Sequence, residues 1–356
     1  MNVKTEPLKT ALESLQRIVK GKSTLPVLNC VKMEVKAGTL ELTASNLDEY
    51  QLERIELEGV GHFDPCCVSL VNLLWAIGGE SVSIERVGDR LVVAFDSNET
   101  DLAVLEAEEF PVWPKDKLSA IGVSCVDLAS SIRRVAWASA KNNSGRWILE
   151  SVHVSGSSKQ LKCEATDGKY LAIINLALIG APFECVIPEL SHSHLAAALE
   201  RTGSAFSVCE NYAQVSHDAG AYLTKQIDGN YPNTASVVPA EIIPVGTVKL
   251  APLLAVFNRC AFYAASEAGK FDSVKLDFSK IGLHVQFTGS NSKSNGLIAG
   301  EFSPAKWSFG AALFKKVLSG ITGDEIKVST SDAKELGVIV IDDSDMRILA
   351  MPVRMT

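Results

Sequence analysis

The same pattern of residues occurs three times along the chain, and that repetition restricts its fold more than any other feature. The first copy runs Leu28-Asn29-Cys30-Val31-Lys32-Met33-Glu34-Val35, then Gly38-Thr39-Leu40-Glu41-Leu42-Thr43-Ala44. The second runs Leu149-Glu150-Ser151-Val152-His153-Val154, then Gln160-Leu161-Lys162-Cys163-Glu164-Ala165-Thr166. The third runs Phe271-Asp272-Ser273-Val274-Lys275-Leu276-Asp277-Phe278, then Gly282-Leu283-His284-Val285-Gln286-Phe287-Thr288. In each copy apolar and polar residues alternate through two segments joined by a short turn, the period of a strand pair with one buried face. Val31 to Val152 spans 121 residues, Val152 to Val274 spans 122, and Pro111 to Pro232 again spans 121. That period is too long for a solenoid unit and suits a whole domain. The 356 residues therefore divide into three tandem copies, 1–118, 119–240 and 241–356.

Each copy also carries two helical patterns. The first helices are expected at Pro7–Lys20, Val126–Ala140 and Ala251–Ala265, with Leu8, Ala11, Leu12, Leu15, Ile18 and Val19 on one face of the earliest. The second are expected at Ser69–Ile77, Ser191–Thr202 and Ser308–Ser319, followed by Gly78, Gly203 and Gly320 as stops. The fold class is α+β: in every copy, two helices packed on antiparallel sheets.

Composition closes off other classes. An apolar fraction of 47% and a charged fraction of 21% describe a globular chain. No apolar run approaches the roughly 20 residues that cross a bilayer, and the start Met1-Asn2-Val3-Lys4-Thr5-Glu6 lacks a secretory core. A cytoplasmic protein with no membrane partner is expected. The cysteines Cys30, Cys66, Cys67, Cys125, Cys163, Cys185, Cys209 and Cys260 contain no Cys-x-x-Cys and mostly sit in apolar stretches. They read as buried, reduced thiols rather than metal ligands.

A formal net charge of −8 speaks against nucleic acid only if charge is evenly spread. It is not. Lys9, Arg17, Lys20, Arg133, Arg134, Lys249, Arg259, Arg201, Lys315 and Lys316 fall on or beside the expected helices, and Lys22, Lys141, Arg146 and Lys270 in loops after them. Acidic residues such as Glu53, Glu56, Glu106, Glu108, Glu109, Asp342, Asp343 and Asp345 fall in strands and turns. Basic helices inside an acidic shell suit phosphate tracking without sequence readout.

Four strings, in order, carry a resemblance along the whole chain. They are Thr24-Leu25-Pro26-Val27-Leu28, Ala165-Thr166-Asp167-Gly168, Ile227-Asp228-Gly229-Asn230-Tyr231-Pro232 and Met351-Pro352-Val353-Arg354. With the threefold repeat, the chain resembles the beta subunit of bacterial DNA polymerase III, the sliding clamp. The resemblance implies three clamp domains per chain and a closed head-to-tail homodimeric ring around double-stranded DNA, helices inside and sheets outside. It implies a processivity factor that is not an enzyme, with no cofactor and no metal. The implied partners are the clamp loader, the replicative polymerase and repair proteins carrying a short linear motif.

The resemblance also implies a peptide-binding groove at Leu149, Thr166, Gly168, Lys169, Tyr170, Leu171, Pro232, Val237, Leu349, Met351, Pro352 and Arg354. Lys169-Tyr170 stands where the family often has His-Arg, and Ser236 where a basic residue is common, so the preferred peptide is expected to differ. On the DNA side, Lys22, Arg146, Trp147 and Ile148 match loop positions that touch DNA in the family. The expected DNA-binding set is these four with Lys20, Arg133, Arg134, Lys141, Arg201, Lys270, Lys315 and Lys316. Ring closure is expected to pair an edge strand around Asp101–Glu109 with one around Phe271–Phe278.

Other motifs dissolve on inspection. Gly21-Lys22-Ser23-Thr24 imitates the end of a phosphate-binding loop, but Gln16 replaces the required earlier Gly. His192 and His194 diverge on a helix and lack a third ligand, so exposed polar residues are expected. Asp342-Asp343-Ser344-Asp345 reads as a hairpin turn rather than a calcium loop. Asn142-Asn143-Ser144 is a sequon without meaning in a cytosolic protein. Two rival functions remain to be separated. A phosphoryl-transfer enzyme would need converging carboxylates, whereas the repeat scatters Asp48, Asp167 and Asp228. A peptide-recruiting scaffold that never loads onto DNA would be indifferent to loss of its helix cations.

Overall fold

The structure, a computed structural model, describes the chain except residues 20–22, 58, 60–62, 142–143, 158, 178–181, 268–272, 333–336 and 354–356. The three hairpins of the repeat form where the alternation places them: Cys30–Lys36 with Thr39–Ser45, Ser151–Gly156 with Gln160–Thr166, and Ser273–Ser279 with Gly282–Thr288. In the first, Leu40, Leu42 and Ala44 are fully buried on one face. Its loop, Ala37-Gly38, holds both residues at positive φ (49° and 80°), the twist that lets two residues reverse a hairpin.

Six α-helices are present among the described residues: α1 Thr5–Leu15, α2 Leu70–Ala76, α3 Cys125–Val135, α4 His192–Leu199, α5 Leu250–Ser266 and α6 Ala311–Ser319. α1 forms because Leu8, Ala11, Leu12 and Leu15 share one buried face, with Glu6 in the first turn complementing the positive helix end. The Ser69 side chain accepts from the Asn72 N–H to start α2. Helix ends differ from expectation by up to five residues, as at Val135 against the expected Ala140, and one difference at a helix start is instructive. Ser308 lies in a strand, Ala305–Gly310, and α6 begins only after Gly310.

The chain forms two compact units. One comprises Met1–Ala129 with Ser193–Gln226, the other Ser130–His192 with Ile227–Thr356. The middle repeat thus contributes strands to both. In the first unit a twelve-stranded sheet runs in spatial order Asn2–Lys4, Ser81–Val87, Arg90–Phe95, Asn98–Glu106, Cys66–Ser69, Cys30–Lys36, Thr39–Ser45, Glu49–Glu56, Gly220–Lys225, Tyr212–His217, Ala205–Val208, Ser119–Ile121. First and second repeats join where Glu49–Glu56 pairs with Gly220–Lys225. Gly220 has φ +153°, and a Cβ there would lie 1.9 Å from the Leu52 carbonyl oxygen, so only glycine fits this approach.

In the second unit an eight-stranded sheet runs Phe183–Pro188, Ser151–Gly156, Gln160–Thr166, Tyr170–Ala177, Met346–Ala350, Ile339–Asp343, Glu325–Thr330, Ile243–Lys249. A separate four-stranded sheet runs Lys293–Ala299, Gly282–Thr288, Ser273–Ser279, Ala305–Gly310. α5 and α6 close over an aromatic core in which Phe314 lies 5.2 Å from Phe257 and stacks on Phe309 at 4.4 Å.

Two expectations need correction. Ser273–Ser279 is an inner strand, paired on both sides, so the edge expected around Phe271–Phe278 is not there; the terminal strands of its sheet are Lys293–Ala299 and Ala305–Gly310. A strand that carries the repeat's central hairpin is flanked by its neighbours, and only a terminal strand can be an edge. His192 and His194 are not surface residues. His192 is 7% exposed with Nε2 3.1 Å from the Ile187 carbonyl oxygen, and His194 Nδ1 lies 2.7 Å from Glu49 Oε1. Asp343–Met346 does close a hairpin, with Ser344 at φ 51°. Six of the eight cysteines are buried; Cys125 and Cys209 are half-buried. Among the described residues no helix is long and apolar enough to cross a membrane.

Candidate peptide groove and basic surface

The strands of the second unit place an apolar row across one sheet face. Thr166 stands opposite Leu171, Leu171 opposite Leu349, and Leu349 opposite Val340. With side chains alternating along each strand, these four point the same way. Leu171, Ile173, Val340 and Leu349 form a buried cluster, against which Val238 and Val338 pack half-buried.

A tight turn shapes one end. The Thr166 hydroxyl donates to the Tyr170 carbonyl at 2.6 Å and accepts from the Gly168 N–H at 3.0 Å. Asp167 Oδ1 accepts from the Lys169 and Tyr170 N–H groups at 2.7 and 2.8 Å. Gly168 takes φ +88° in this turn. The Met351 N–H donates to the Lys169 carbonyl at 3.0 Å, tying the exit of the Met346–Ala350 strand to the turn. Met351 and Val237 stay 53% and 57% exposed, and Pro232 and Lys169 are also exposed, so apolar surface is left open around the row. Pro352 is half-buried, and Leu149 is buried in the short turn Trp147–Leu149. Tyr170 departs from expectation. One residue before Leu171, it faces the opposite side of the sheet, edge-on to Trp137 at 6.2 Å.

The connector after Gln226 forms the other wall, held by groups that sequence reasoning missed. Glu164 is fully buried and accepts from the Thr234 hydroxyl, with Lys162 Nζ at 2.7 Å and His153 Nδ1 at 2.8 Å. Tyr231 stacks on the His153 ring at 4.5 Å. Burial works to raise the Glu164 pKa, but the His153, Lys162 and Thr234 contacts outweigh it and hold the carboxyl below its usual range. The available signal was a His and a Glu facing each other in a hairpin, His153 opposite Glu164. Beyond the connector a cleft of about 480 Å³ shares Ile173 and Val238 with the row and is lined further on by Lys162, Asn175, Asp342 and Arg347.

The expected cations divide into two groups. Lys141, Lys315, Arg133 and Arg146 are exposed, Trp147 is 56% exposed and Ile148 is half-buried. Lys316 sits beside Lys141; burial, then the neighbouring ammonium, lowers its pKa. Two adjacent cations are a local excess of positive charge that an anion relieves. Arg134 and Arg201 are committed instead. Arg134 contacts Asp343 at 3.1 Å and Asp345 at 2.7 Å, and Arg201 grips Glu53 through both terminal nitrogens at 3.1 and 2.9 Å. Arg146 lies against the groove turn, where a Cβ on Gly168 would be 2.9 Å from its Nη1. Lys20, Lys22, Lys270 and Arg354 lie outside the described residues. Among the described residues no group of three His, Cys, Asp or Glu is placed to hold a metal ion.

The chain is similar to known proteins over nearly its whole length. Residues 1–114 match the DNA polymerase III beta subunit, N-terminal domain. The beta sliding clamp of Vibrio cholerae is 23% identical over 97% of this chain and 96% of its own length. That of Bacillus subtilis is 24% identical over 99% and 98%. Among solved structures, a Pseudomonas aeruginosa sliding clamp bound to griselimycin superposes with a TM-score of 0.92 at 21% identity, covering 100% of this chain and 99% of that one. The Helicobacter pylori beta clamp bound to a DNA ligase peptide gives 0.88 at 18% identity, covering 99% of each. At such identities the structural likeness speaks for the fold.

Proposed function

We propose that the chain belongs to the family of the beta subunit of bacterial DNA polymerase III and is a sliding clamp, a non-catalytic processivity factor that encircles duplex DNA and tethers a polymerase. The observation that carries this is the row Thr166, Leu171, Leu349, Val340, open beside Met351 and Val237 and walled by a pinned connector, in a chain matched end to end by clamps. A clamp needs a docking site for linear motifs, and an apolar slot with few polar groups is what such a motif fills. The twelve groove residues are proposed as that site, with Tyr170 supporting it from behind. Its occupants are the replicative polymerase, the clamp loader and repair proteins, in the cytoplasm on nucleoid DNA. The chain's three copies, 1–118, 119–240 and 241–356, would each supply one sixth of a ring.

Ring closure is proposed between two open edges. The Asn98–Ala103 stretch pairs on one side only, with Arg90–Phe95, and Lys293–Ala299 ends its sheet. Each is backed by a helix with an exposed aromatic: α2 with Trp75, 87% exposed, and α5 with Phe262, 69% exposed. Glu99 and Asp101 on one edge complement Lys293 on the other. Two copies, head to tail, would bury both sets.

The DNA-facing set is proposed as Lys20, Lys22, Arg133, Lys141, Arg146, Trp147, Ile148, Lys270, Lys315 and Lys316, with Arg134 and Arg201 acting through their ion pairs. Those two commitments favour the second reading, a peptide-recruiting scaffold that does not load onto DNA. One experiment separates them. Light scattering gives the mass in solution, and a matched clamp loader then loads the protein onto nicked circular plasmid. A dimer of 38.2 kDa chains that stays on the circle and leaves after linearisation supports the clamp. A monomer, or retention indifferent to DNA ends, overturns it.

A further inference from the structure

The 121-residue repeat allows the groove to be superposed, residue by residue, on the first copy of the domain. There Tyr50 stands for Leu171, Leu52 for Ile173, Thr43 for Glu164, Lys32 for His153, Arg54 for Asn175 and Trp113 for Thr234. The connector 107–118 crosses this face as the later connector crosses the groove. The slot itself is filled: Trp113 packs on Tyr50 at 5.7 Å, where the second copy leaves room beside Leu171. Beside that plug an open cleft of about 630 Å³ remains, walled by Val112 and Trp113 and floored by the strands Cys30–Lys36, Thr39–Ser45 and Glu49–Glu56.

Charge in the cleft is layered. Glu34 and Glu41 face each other across the first hairpin. Lys36 bridges them at 2.9 and 3.1 Å, and Arg54 reaches Glu41 at 3.0 Å. The carboxylates lie beneath, 25% and 15% exposed, while Lys36 and Arg54 lie above them at 57% and 43%. Lys115 adds an exposed ammonium on the connector side, and Glu108 is the exposed acid at the rim. A ligand entering from solvent therefore meets cations first. It also meets Val112, 75% exposed, beside the Trp113 ring.

We propose that this cleft docks an extended acidic segment of a partner protein, its carboxylates over Lys36, Arg54 and Lys115 and one aliphatic side chain against Val112 and Trp113. Layered charge of this kind attracts an anionic chain while the half-buried acids keep the cations in place. A bare apolar peptide would desolvate the exposed Lys115 ammonium and the outward sides of Lys36 and Arg54 without offering them a new partner, which disfavours it. The site shares no residue with the groove.

The probe is a short fluorescein-labelled peptide of aspartates interrupted by two leucines, followed by anisotropy at low ionic strength on the full-length protein. Binding that weakens with salt is expected. Lys115→Glu and Val112→Ser, both at exposed positions, should each weaken it about tenfold, while Met351→Asp and Val237→Asp in the groove leave it unchanged. An unmoved unfolding midpoint in all four variants shows that the fold is intact. Absence of binding overturns the proposal. So does loss through the groove variants alone, or equal binding of a labelled oligonucleotide of the same charge.

Discussion

The guanidinium of Arg134 lies 3.1 Å from a carboxylate oxygen of Asp343, a residue with no solvent exposure at all. Asp343 also accepts from the Thr322 and Gly323 N–H groups, both at 3.0 Å, so one carboxylate organises helix, hairpin and turn. Removing one partner of a buried pair strands the other charge. Arg134→Ala is therefore expected to lower unfolding free energy by about 3 kcal/mol in urea titration. Lys315→Ala, at an exposed position, should leave it unchanged and shorten the lifetime on circular DNA. A stable Arg134→Ala protein with the same DNA defect would instead place Arg134 in direct phosphate contact.

The groove predicts a loss of binding without a loss of fold. Val237 and Met351 are more than half exposed, so aspartate at either position disturbs no packed core. Each substitution should weaken a clamp-binding peptide about tenfold or more by fluorescence anisotropy, with an unchanged unfolding midpoint. Peptide affinity equal to the parent's in both variants would move the docking site elsewhere.

Ring closure predicts a rescue. Glu99→Lys alone and Lys293→Glu alone should each weaken the dimer, because like charges then face each other across the new strand pair. Mixing the two single variants restores both interfaces in the mixed dimer, as the double variant does in its homodimer. Sedimentation equilibrium at micromolar concentration reads all three. Trp75→Asp combined with Phe262→Asp should leave monomer. A dimer indifferent to all of these would refute the pairing of those edges.

The pH dependence follows from His192. Burial pushes its imidazole down to about 4 from an ordinary 6.5, against the raising effect of the Ile187 carbonyl. The folded state keeps the ring neutral while the unfolded chain protonates it. Its contribution is complete above about 6.5 and is lost as pH falls toward about 4. At its limit the shift is on the order of 3 kcal/mol. Glu49 and Glu164 are held below the usual carboxylate range despite burial, by hydrogen bonds led by His194 and His153 respectively, and fail only at lower pH. His192→Gln should flatten the fall in unfolding free energy across the upper window. A parent protein with no slope there would contradict the assignment.

The sequence disclosed what is local. Alternation located all three hairpins, because period-two burial needs only neighbours along the strand to be visible. The groove row was half legible: Leu171 and Leu349 were identifiable, but Tyr170 turns away because a strand sends adjacent residues to opposite faces. Ion pairs between distant residues were not legible. Arg134 meets Asp343 across 209 positions and Arg201 meets Glu53 across 148, so a cation that looked free on a helix was spoken for. Edge strands were hidden for the same reason, since a strand is an edge only by virtue of who fails to pair with it. Thr234 and Trp113 hold one repeat position, yet one opens a slot and the other plugs it.

The unpaired sides of Asn98–Ala103 and Lys293–Ala299 bear on how the protein is made as well as on what it does. A newly finished chain exposes two rows of unsatisfied amide and carbonyl groups next to bare aromatic rings, a template for any extended polypeptide nearby. Its safest neighbour is an identical copy. Solubility during synthesis should therefore rise with expression matched to rapid self-association, and variants that keep chains apart should be recovered poorly from cells even when each folded chain is sound.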